Sequence, residues 1–174
     1  MIQTRHSAGT PEWLIIIGSG IFIAMLFISA VWEADIRWLH FVQAWMYVAC
    51  VVLALRRSQW GYFIGVSAAG LWDYMNLFVT TFLASGLEQL STWIRSGHLA
   101  RPDQLIAVPA WIGNLLVLIG CIWAYRRHVP PTRGALPRFA VAFVLTTAFF
   151  AADMALFQPR YLALFPRLLH PHAP

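Results

Sequence analysis

Hydrophobic residues are gathered in five long stretches, separated by short segments that carry most of the charged residues. A helix needs about 20 apolar residues to cross the hydrocarbon core of a bilayer, and each stretch reaches or approaches that length. The pattern predicts an all-α polytopic helical membrane protein, a single transmembrane domain over 1–174 with five transmembrane helices. We place these helices, spans 1 to 5, at about 13–32, 39–55, 60–83, 105–125 and 139–157.

The longest connection, residues 84–104 between spans 3 and 4, has a helical pattern of its own. Its leucine and isoleucine side chains share one face, as in an amphipathic helix. Ser85 and Glu88 have the spacing of a capping box that begins a helix, and Gly97 is a natural stop. We therefore predict a short interfacial helix in the 84–104 loop. The alternative is that this segment forms a lid over a site beneath it.

Composition agrees with a membrane protein. Hydrophobic residues make up 60% of the chain and charged residues 11%, with a mean hydropathy of +0.65, whereas a soluble domain averages about 45–50% apolar and about 25% charged residues. These values exclude a disordered chain, a disulfide-rich secreted module and an ordinary soluble enzyme. The twelve basic residues are all arginine, and they lie mostly between apolar runs. We expect them to contact lipid headgroups. The predicted partner is therefore the lipid bilayer, and no nucleic acid is expected to bind.

The arginines also predict an orientation. The N-terminus, the 56–59 turn and the 126–138 loop share one side of the membrane with seven arginines, and the other side has five. The positive-inside rule then places the N-terminus in the cytoplasm and the C-terminus outside. Compact loops without an organelle signal favour the bacterial inner membrane.

Polar residues recur at helical spacing inside the spans. In span 3, Asp73 and Asn76 share one face with small residues, and Ile64 and Phe78 lie opposite. Similar stripes run along spans 2, 4 and 5. If the stripes face one axis, they form a polar pocket in the outer half of the bundle. The candidate ligand-binding residues are Asp73, Asn76, Asn114, Gln43, Tyr47, His40 and Asp153.

Asp73 is the strongest of these candidates because of its depth. At about 1.5 Å per residue it lies about 15 Å from the outer end of span 3. A carboxylate near the centre of a bilayer costs about 3 kcal/mol on insertion scales, so it must face inward and find donors or keep its proton. Two interpretations stay open: Asp73 serves a ligand, ion or proton site, or it joins helices as a hydrogen-bonded structural group.

Other polar residues have simpler structural explanations. Arg160 falls on the same helical face as Asp153, which predicts an interfacial ion pair between the two. His40 lies at a span end, where a hydrogen bond in the interface would satisfy it. Gly20 and Ala24 in span 1 have the spacing of a close helix-packing pair.

Cys50 and Cys121 both lie in apolar runs, which favours packing as small apolar side chains. Their similar depth is a hint that they are neighbours. They form no zinc pattern or disulfide framework, and no spacing of His, Asp or Glu resembles a metal-ligand motif. The sequence thus predicts no metal site, and it leaves any cofactor unknown.

Pro109 is expected to leave the carbonyl of Leu105 without a helical partner and to bend span 4.

Three functions fit this pattern. The first is a polar intramembrane pocket that binds a small or lipophilic ligand; active transport is less favoured because no internal repeat is visible. The second is a non-catalytic subunit or assembly factor of a larger membrane complex, with other membrane subunits or a second copy as partner. The third is an intramembrane enzyme acting on a lipid or quinone, with Asp73 or Asp153 as acid/base and His40 as a partner.

Overall fold

The computed structural model describes residues 8–131 and 133–164, which are almost entirely helical and contain no strand. Arg5 and Arg167, which enter the arginine count above, lie outside the described residues. The α-helices in chain order are α1 (Thr10–Trp32), α2 (Arg37–Leu55), α3 (Gln59–Tyr74), α4 (Phe82–Ser96), α5 (Pro102–Leu105), α6 (Ala107–His128) and α7 (Ala135–Phe157). A π-turn covers Met75–Val79, and 3-10 turns cover Ala34–Ile36 and Pro159–Leu164.

Four helical segments are long and apolar enough to cross a membrane. They are Thr10–Trp32, Ala34–Leu55, Pro102–His128 and Ala135–Phe157, which correspond to predicted spans 1, 2, 4 and 5. The predicted all-α class is confirmed.

Span 3, expected as one helix over 60–83, is interrupted. The α-helix ends at Tyr74 and continues as a π-turn, in which the amide of Thr80 donates to the carbonyl of Met75 at 2.8 Å. Thr80 itself is extended, with φ −112° and ψ 169°, and this conformation ends the helix. The prediction of one continuous helix is therefore wrong, because the chain turns away after the π-turn and begins α4 at Phe82.

The helix predicted in the 84–104 loop is present as α4, but it begins earlier than expected. Its N-cap is Thr81, and the amide of Ser85 donates to the carbonyl of Thr81 within the helix. The predicted capping box at Ser85 is therefore wrong. Gly97 ends the helix in the left-handed conformation, with φ 68°, as its sequence position suggested. The buried residues of α4 are Leu83 and Gly86, which turn toward α5 and α6.

The bundle is held most extensively by α1 and α6, which run antiparallel. Their backbones approach so closely at Gly18 and Gly113 that a Cβ atom at Gly18 would lie 2.5 Å from the carbonyl oxygen of Gly113. The predicted packing pair Gly20 and Ala24 is wrong, since both residues are exposed and no atom lies within 4 Å of a Cβ built at Gly20. Helix α1 thus contacts α6 through the face that carries Gly18, and the predicted face with Gly20 and Ala24 lies on the opposite side.

Helix α3 lies between α2, α6 and α7 and contacts all three. The helices alternate in direction, so the bundle has two ends. We call one the Trp32 end, where Trp32, Arg37, Val79, Ala107 and Phe157 lie, and the other the Arg56 end, where Thr10, Leu55, Gln59, His128 and Ala135 lie.

The helix is interrupted just before Pro109, as predicted from the position of this proline. Proline has no amide hydrogen for the carbonyl of Leu105, and α5 ends at Leu105 while α6 begins at Ala107. The result is a break between two helices at the Trp32 end. Gln104 and Ile106, on either side of Leu105 at this break, line a cavity described below.

Candidate functional site

A cavity of about 450 Å³ opens among the helices at the Trp32 end. Residues of α1, α2, α3, α6 and α7 form its walls, and the Thr80–Ser85 segment lies along its edge. Most of the lining is apolar, with Phe22, Trp72 and Phe150 among the large side chains. The rings of Phe22 and Trp72 meet edge to face with centroids 5.2 Å apart, which fixes the wall where α1 meets α3.

The seven predicted site residues divide into two groups. His40, Gln43 and Asn76 line the cavity and are partly buried. The other four do not belong to its lining and are buried between the helices. These four are Tyr47, Asp73, Asn114 and Asp153, with relative exposures of 1%, 7%, 0% and 2%. The polar stripes therefore do face inward, but only part of them reaches open space.

Tyr47 and Asn114 form a buried hydrogen bond between α2 and α6. The hydroxyl of Tyr47 donates to Oδ1 of Asn114 at 2.6 Å, and the ring of Tyr47 packs against Phe22 with centroids 4.4 Å apart. The amide nitrogen Nδ2 of Asn114 has no partner among the described residues. This pair therefore fastens two helices directly beside the cavity wall.

Asp73 of α3 and Asp153 of α7 both have buried carboxyl groups. The two helices pack against each other. Within residues 8–131 and 133–164, neither carboxyl has a hydrogen-bond partner on either oxygen. The predicted pair between Asp153 and Arg160 is wrong. Arg160 donates from Nη2 to Oδ2 of Asp35 at 2.6 Å, because the 3-10 turn that begins at Pro159 carries it off the face of α7.

His40 joins α2 to α1 through a hydrogen bond between Nδ1 and the carbonyl oxygen of Leu26, at 3.0 Å. A carbonyl oxygen only accepts hydrogen bonds, so the ring proton must be on Nδ1. In the neutral ring this leaves Nε2 as an acceptor. His40 thus contributes an acceptor to the residues around the cavity.

The side chain of Asn76 forms hydrogen bonds at both ends of the π-turn. Its Nδ2 donates to the carbonyl oxygen of Trp72 at 2.9 Å, and its Oδ1 accepts from the hydroxyl of Thr80 at 3.3 Å. The side chain therefore stabilises the irregular backbone where α3 ends. A π-turn of this kind is often found at functional sites, and Met75 and Asn76 of this one both line the cavity.

Cys50 and Cys121 are neighbours, as their similar depth suggested. Their sulfur atoms are 3.9 Å apart, both thiols are free, and both side chains are buried. Gly65 of α3 lies against both sulfur atoms, and a methyl group there would overlap them. The two cysteines thus fill the small space where α2, α3 and α6 meet.

A buried pair that the residue pattern did not predict lies at the Arg56 end. Oε1 of Glu12 lies 2.7 Å from Nε2 of His128, and the side chains are only 3% and 14% exposed. Oε2 of Glu12 also accepts from the amide of Gly9 at 2.9 Å, at the start of α1. The sequence does show an acidic residue in the first turn of α1 and a histidine in the last turn of α6. These positions predict the pair only once α1 and α6 are known to be antiparallel neighbours.

Within the described part of the chain, no group of three His, Cys, Asp or Glu residues is placed to hold a metal ion. None of the protein-family models, curated proteins or solved structures with which this chain was compared matches it. Its function therefore has to be inferred from the geometry of the cavity.

Proposed function

We propose that this chain is a membrane protein that binds a small, lipophilic molecule in the cavity at the Trp32 end. The observation that carries this proposal is the cavity itself, with about 450 Å³ of space, mainly apolar walls and a few polar groups such as His40, Gln43 and Ser29. Ligand pockets typically combine these features. The cavity's volume suits a molecule of the size of a few fused rings.

We further propose five membrane crossings, with α3 and its π-turn as the third. The segment Gln59–Val79, at about 1.5 Å per residue, extends about 30 Å, which matches the hydrocarbon core. Its position between α2, α6 and α7 supports this assignment, because a helix enclosed by three spanning helices shares their depth. Helix α4 would then lie in the membrane interface, with exposed Trp93 and Ile94 as its anchors.

Orientation follows from the arginines. Of the ten described arginines, six lie at the Arg56 end, at positions 56, 57, 126, 127, 133 and 138. We propose that this end is cytoplasmic, that the membrane is a bacterial inner membrane, and that the cavity opens toward the outer side.

No specific contact supports the two alternative functions. An intramembrane enzyme using His40 with an aspartate would bring the imidazole to Asp73 or Asp153, but His40 is bonded to a backbone carbonyl. Among the described residues, no hydrogen bond joins it to either carboxyl group. A complex subunit would be favoured by a polar face left uncovered between the helices, whereas the exposed residues of α7 are chiefly apolar, such as Val144 and Leu145.

Binding of the neutral fluorescent probe N-phenylnaphthylamine to the purified protein in mild detergent tests the proposal. We expect saturable fluorescence enhancement in the wild type. Ser29→Trp, which fills the cavity, should weaken binding by at least about tenfold, or about 1.4 kcal/mol. The matched control is Val144→Trp, at a position that is 63% exposed on the outer face of α7, and it should bind as the wild type does. Equal binding by both variants would contradict the proposal.

A further inference from the structure

The cavity described above has a polar corner where α1 meets α2. His40 of α2 bonds there to the carbonyl oxygen of Leu26 on α1, at 3.0 Å. Gln43 follows His40 by three positions on α2, and Ser29 follows Leu26 by three positions on α1, so each pair shares one face of its helix. All four residues line the cavity, whereas α3 and α7 contribute large apolar side chains to it. A ligand with one polar end and an apolar body would match this division.

This corner offers both an acceptor and donors. The ring proton of His40 is on Nδ1, where it is used by Leu26, so the neutral ring leaves Nε2 as an acceptor. The side chain of Gln43 makes no hydrogen bond with any described residue, and its amide group has two N–H donors. Residues three positions apart on a helix have Cβ atoms about 5–6 Å apart. One small polar group on a ligand can therefore reach both side chains.

The fixed charges around the cavity balance. The described residues at the Trp32 end include four acidic and four basic side chains outside the packed interior, which are Glu33, Asp35, Glu88, Asp103, Arg37, Arg95, Arg101 and Arg160. Of these eight, only Glu33 lines the cavity, and Arg101 lies within electrostatic range of it. The buried carboxyl groups of Asp73 and Asp153 do not belong to the lining. A charged ligand would therefore lose its hydration without meeting a counter-ion that is not already matched.

A hydroxyl group fits this corner better than other common head groups do. Its O–H can donate to Nε2 of His40 while its oxygen accepts from the amide of Gln43. A ketone, ester or ether only accepts and would leave Nε2 without a donor. An ammonium group only donates, a carboxylate only accepts, and both bring a charge. A site that binds a hydroxyl in this way discriminates against an analogue that lacks it, because its own polar groups are then left unpaired.

We infer that the ligand of this cavity is an uncharged lipophilic alcohol or phenol, with its hydroxyl group between His40 and Gln43 and its hydrocarbon body against the walls from α3 and α7. The inference rests on the proposed function, because it takes the cavity to be a binding site. It makes lipophilic amines and fatty acids poor ligands, since neither has an uncharged group that both donates and accepts at neutral pH.

Displacement of N-phenylnaphthylamine by four compounds with one hydrophobic body tests the inference. The compounds are phenylbutanol, its methyl ether, phenylbutylamine and phenylbutyrate, compared at their free concentrations because they partition differently into detergent. We expect the alcohol to displace the probe at a concentration at least about tenfold lower than the ether or either charged compound. If the ether or a charged compound is as effective as the alcohol, the inference is wrong while the binding function stands. If the probe itself does not bind, both are wrong.

Two variants locate the hydroxyl group. His40→Asn keeps an amide nitrogen that can donate to Leu26 but removes the acceptor Nε2, so the alcohol should lose its advantage while the ether's displacement concentration stays the same. Gln43→Leu removes the donor, so it should weaken the alcohol and the ether alike. Gln59→Leu is the matched control, because Gln59 lies at the Arg56 end and does not line the cavity.

Either variant can overturn the inference. A preference for the alcohol over the ether that survives in His40→Asn would show that Nε2 does not receive the hydroxyl proton. Unchanged displacement by both compounds in Gln43→Leu would contradict the inference equally, and this comparison decides the matter if His40→Asn does not fold.

Discussion

Asn114 is completely buried, yet it uses only part of its hydrogen-bonding capacity. Its Oδ1 accepts from Tyr47, whereas its Nδ2 has no partner among the described residues. A buried polar group without a partner is costly because it has left water without replacement. The bond from Tyr47 is therefore what makes a polar residue tolerable at this crossing of α2 and α6.

Replacing Tyr47 by phenylalanine removes that bond and keeps the ring. We expect Tyr47→Phe to lower the free energy of unfolding by about 1–3 kcal/mol, because Oδ1 of Asn114 is then also unsatisfied. Denaturant titration in detergent micelles, followed by circular dichroism, measures the change.

A double variant is the control for this prediction. In Tyr47→Phe with Asn114→Leu both partners are apolar, so the combined loss should be smaller than the sum of the two single losses. Additive losses would contradict the assignment of the bond as the source of the effect.

The sequence predicted which faces carry polar residues, and it did so because burial follows helical periodicity. It placed Asp73, Asn114 and Asp153 on inward faces, and all three are buried. It failed for the partners of individual groups. Arg160 was assigned to Asp153 by extending the α7 periodicity past Phe157, but the backbone changes to a 3-10 turn there, and periodicity carries no information beyond a helix end.

At the scale of whole helices, the crossing of α1 and α6 depends on glycine. Neither Gly18 nor Gly113 leaves room for a side chain, since a Cβ atom at Gly113 would lie 2.8 Å from the carbonyl oxygen of Gly18. Close backbone approach is the usual way that helices pack tightly inside a membrane. The sequence predicted Gly20 and Ala24 as the packing pair, because the spacing of small residues in span 1 does not show which side of the helix meets its neighbour.

These two glycines of α1 give a matched test. Gly18→Ala should destabilise the protein by about 1–3 kcal/mol, because the methyl group must push α6 away. Gly20→Ala should be neutral or stabilise by up to about 1 kcal/mol, since its surroundings are open and alanine has the higher helix propensity. Thermal unfolding of both variants under identical detergent conditions is the measurement. A smaller loss for Gly18→Ala than for Gly20→Ala would refute the observed crossing.

The interruption of α3 was not visible in the sequence. Residues 60–83 are mainly apolar and contain no proline, and their polar residues Asp73, Asn76 and Thr80 follow helical spacing, so nothing marks Thr80 as a helix end. The end is produced by a backbone bond five residues back and by Asn76, whose side chain bonds both Trp72 and Thr80. Such local competition between hydrogen bonds is decided by the surrounding packing.

For the molecule as a whole, the distribution of arginine predicts a fixed orientation. With the Arg56 end in the cytoplasm, a membrane-impermeant maleimide should label Ser96→Cys but not Pro131→Cys in intact bacterial cells. The native cysteines are buried and should not react, whereas both replaced positions are exposed. Permeabilised cells, in which both variants should react, provide the control. Labelling of Pro131→Cys alone in intact cells would show the opposite orientation.

The class of the molecule was predictable and its cavity was not. Apolar composition and run length are enough to predict a helical membrane protein, because the bilayer imposes both. The cavity needs residues from α1, α2, α3, α6 and α7 to meet around a space, and their arrangement depends on the crossing angles and helix breaks. Of the seven residues predicted for the pocket, three line this cavity and four lie in the packed interior between the helices.

The pairing of α1 with α6 has a consequence for biosynthesis. Gly18 and Gly113 are 95 positions apart in the sequence, so the first helix leaves the ribosome long before its main partner exists. Contacts between residues so distant in the chain form late. Until α6 is made, α1 has α2 as its neighbour, and the face of α1 at Gly18 has no partner helix. A chain that ends before residue 107 would therefore contain α1, α2 and α3 but lack the walls that α6 and α7 contribute to the cavity.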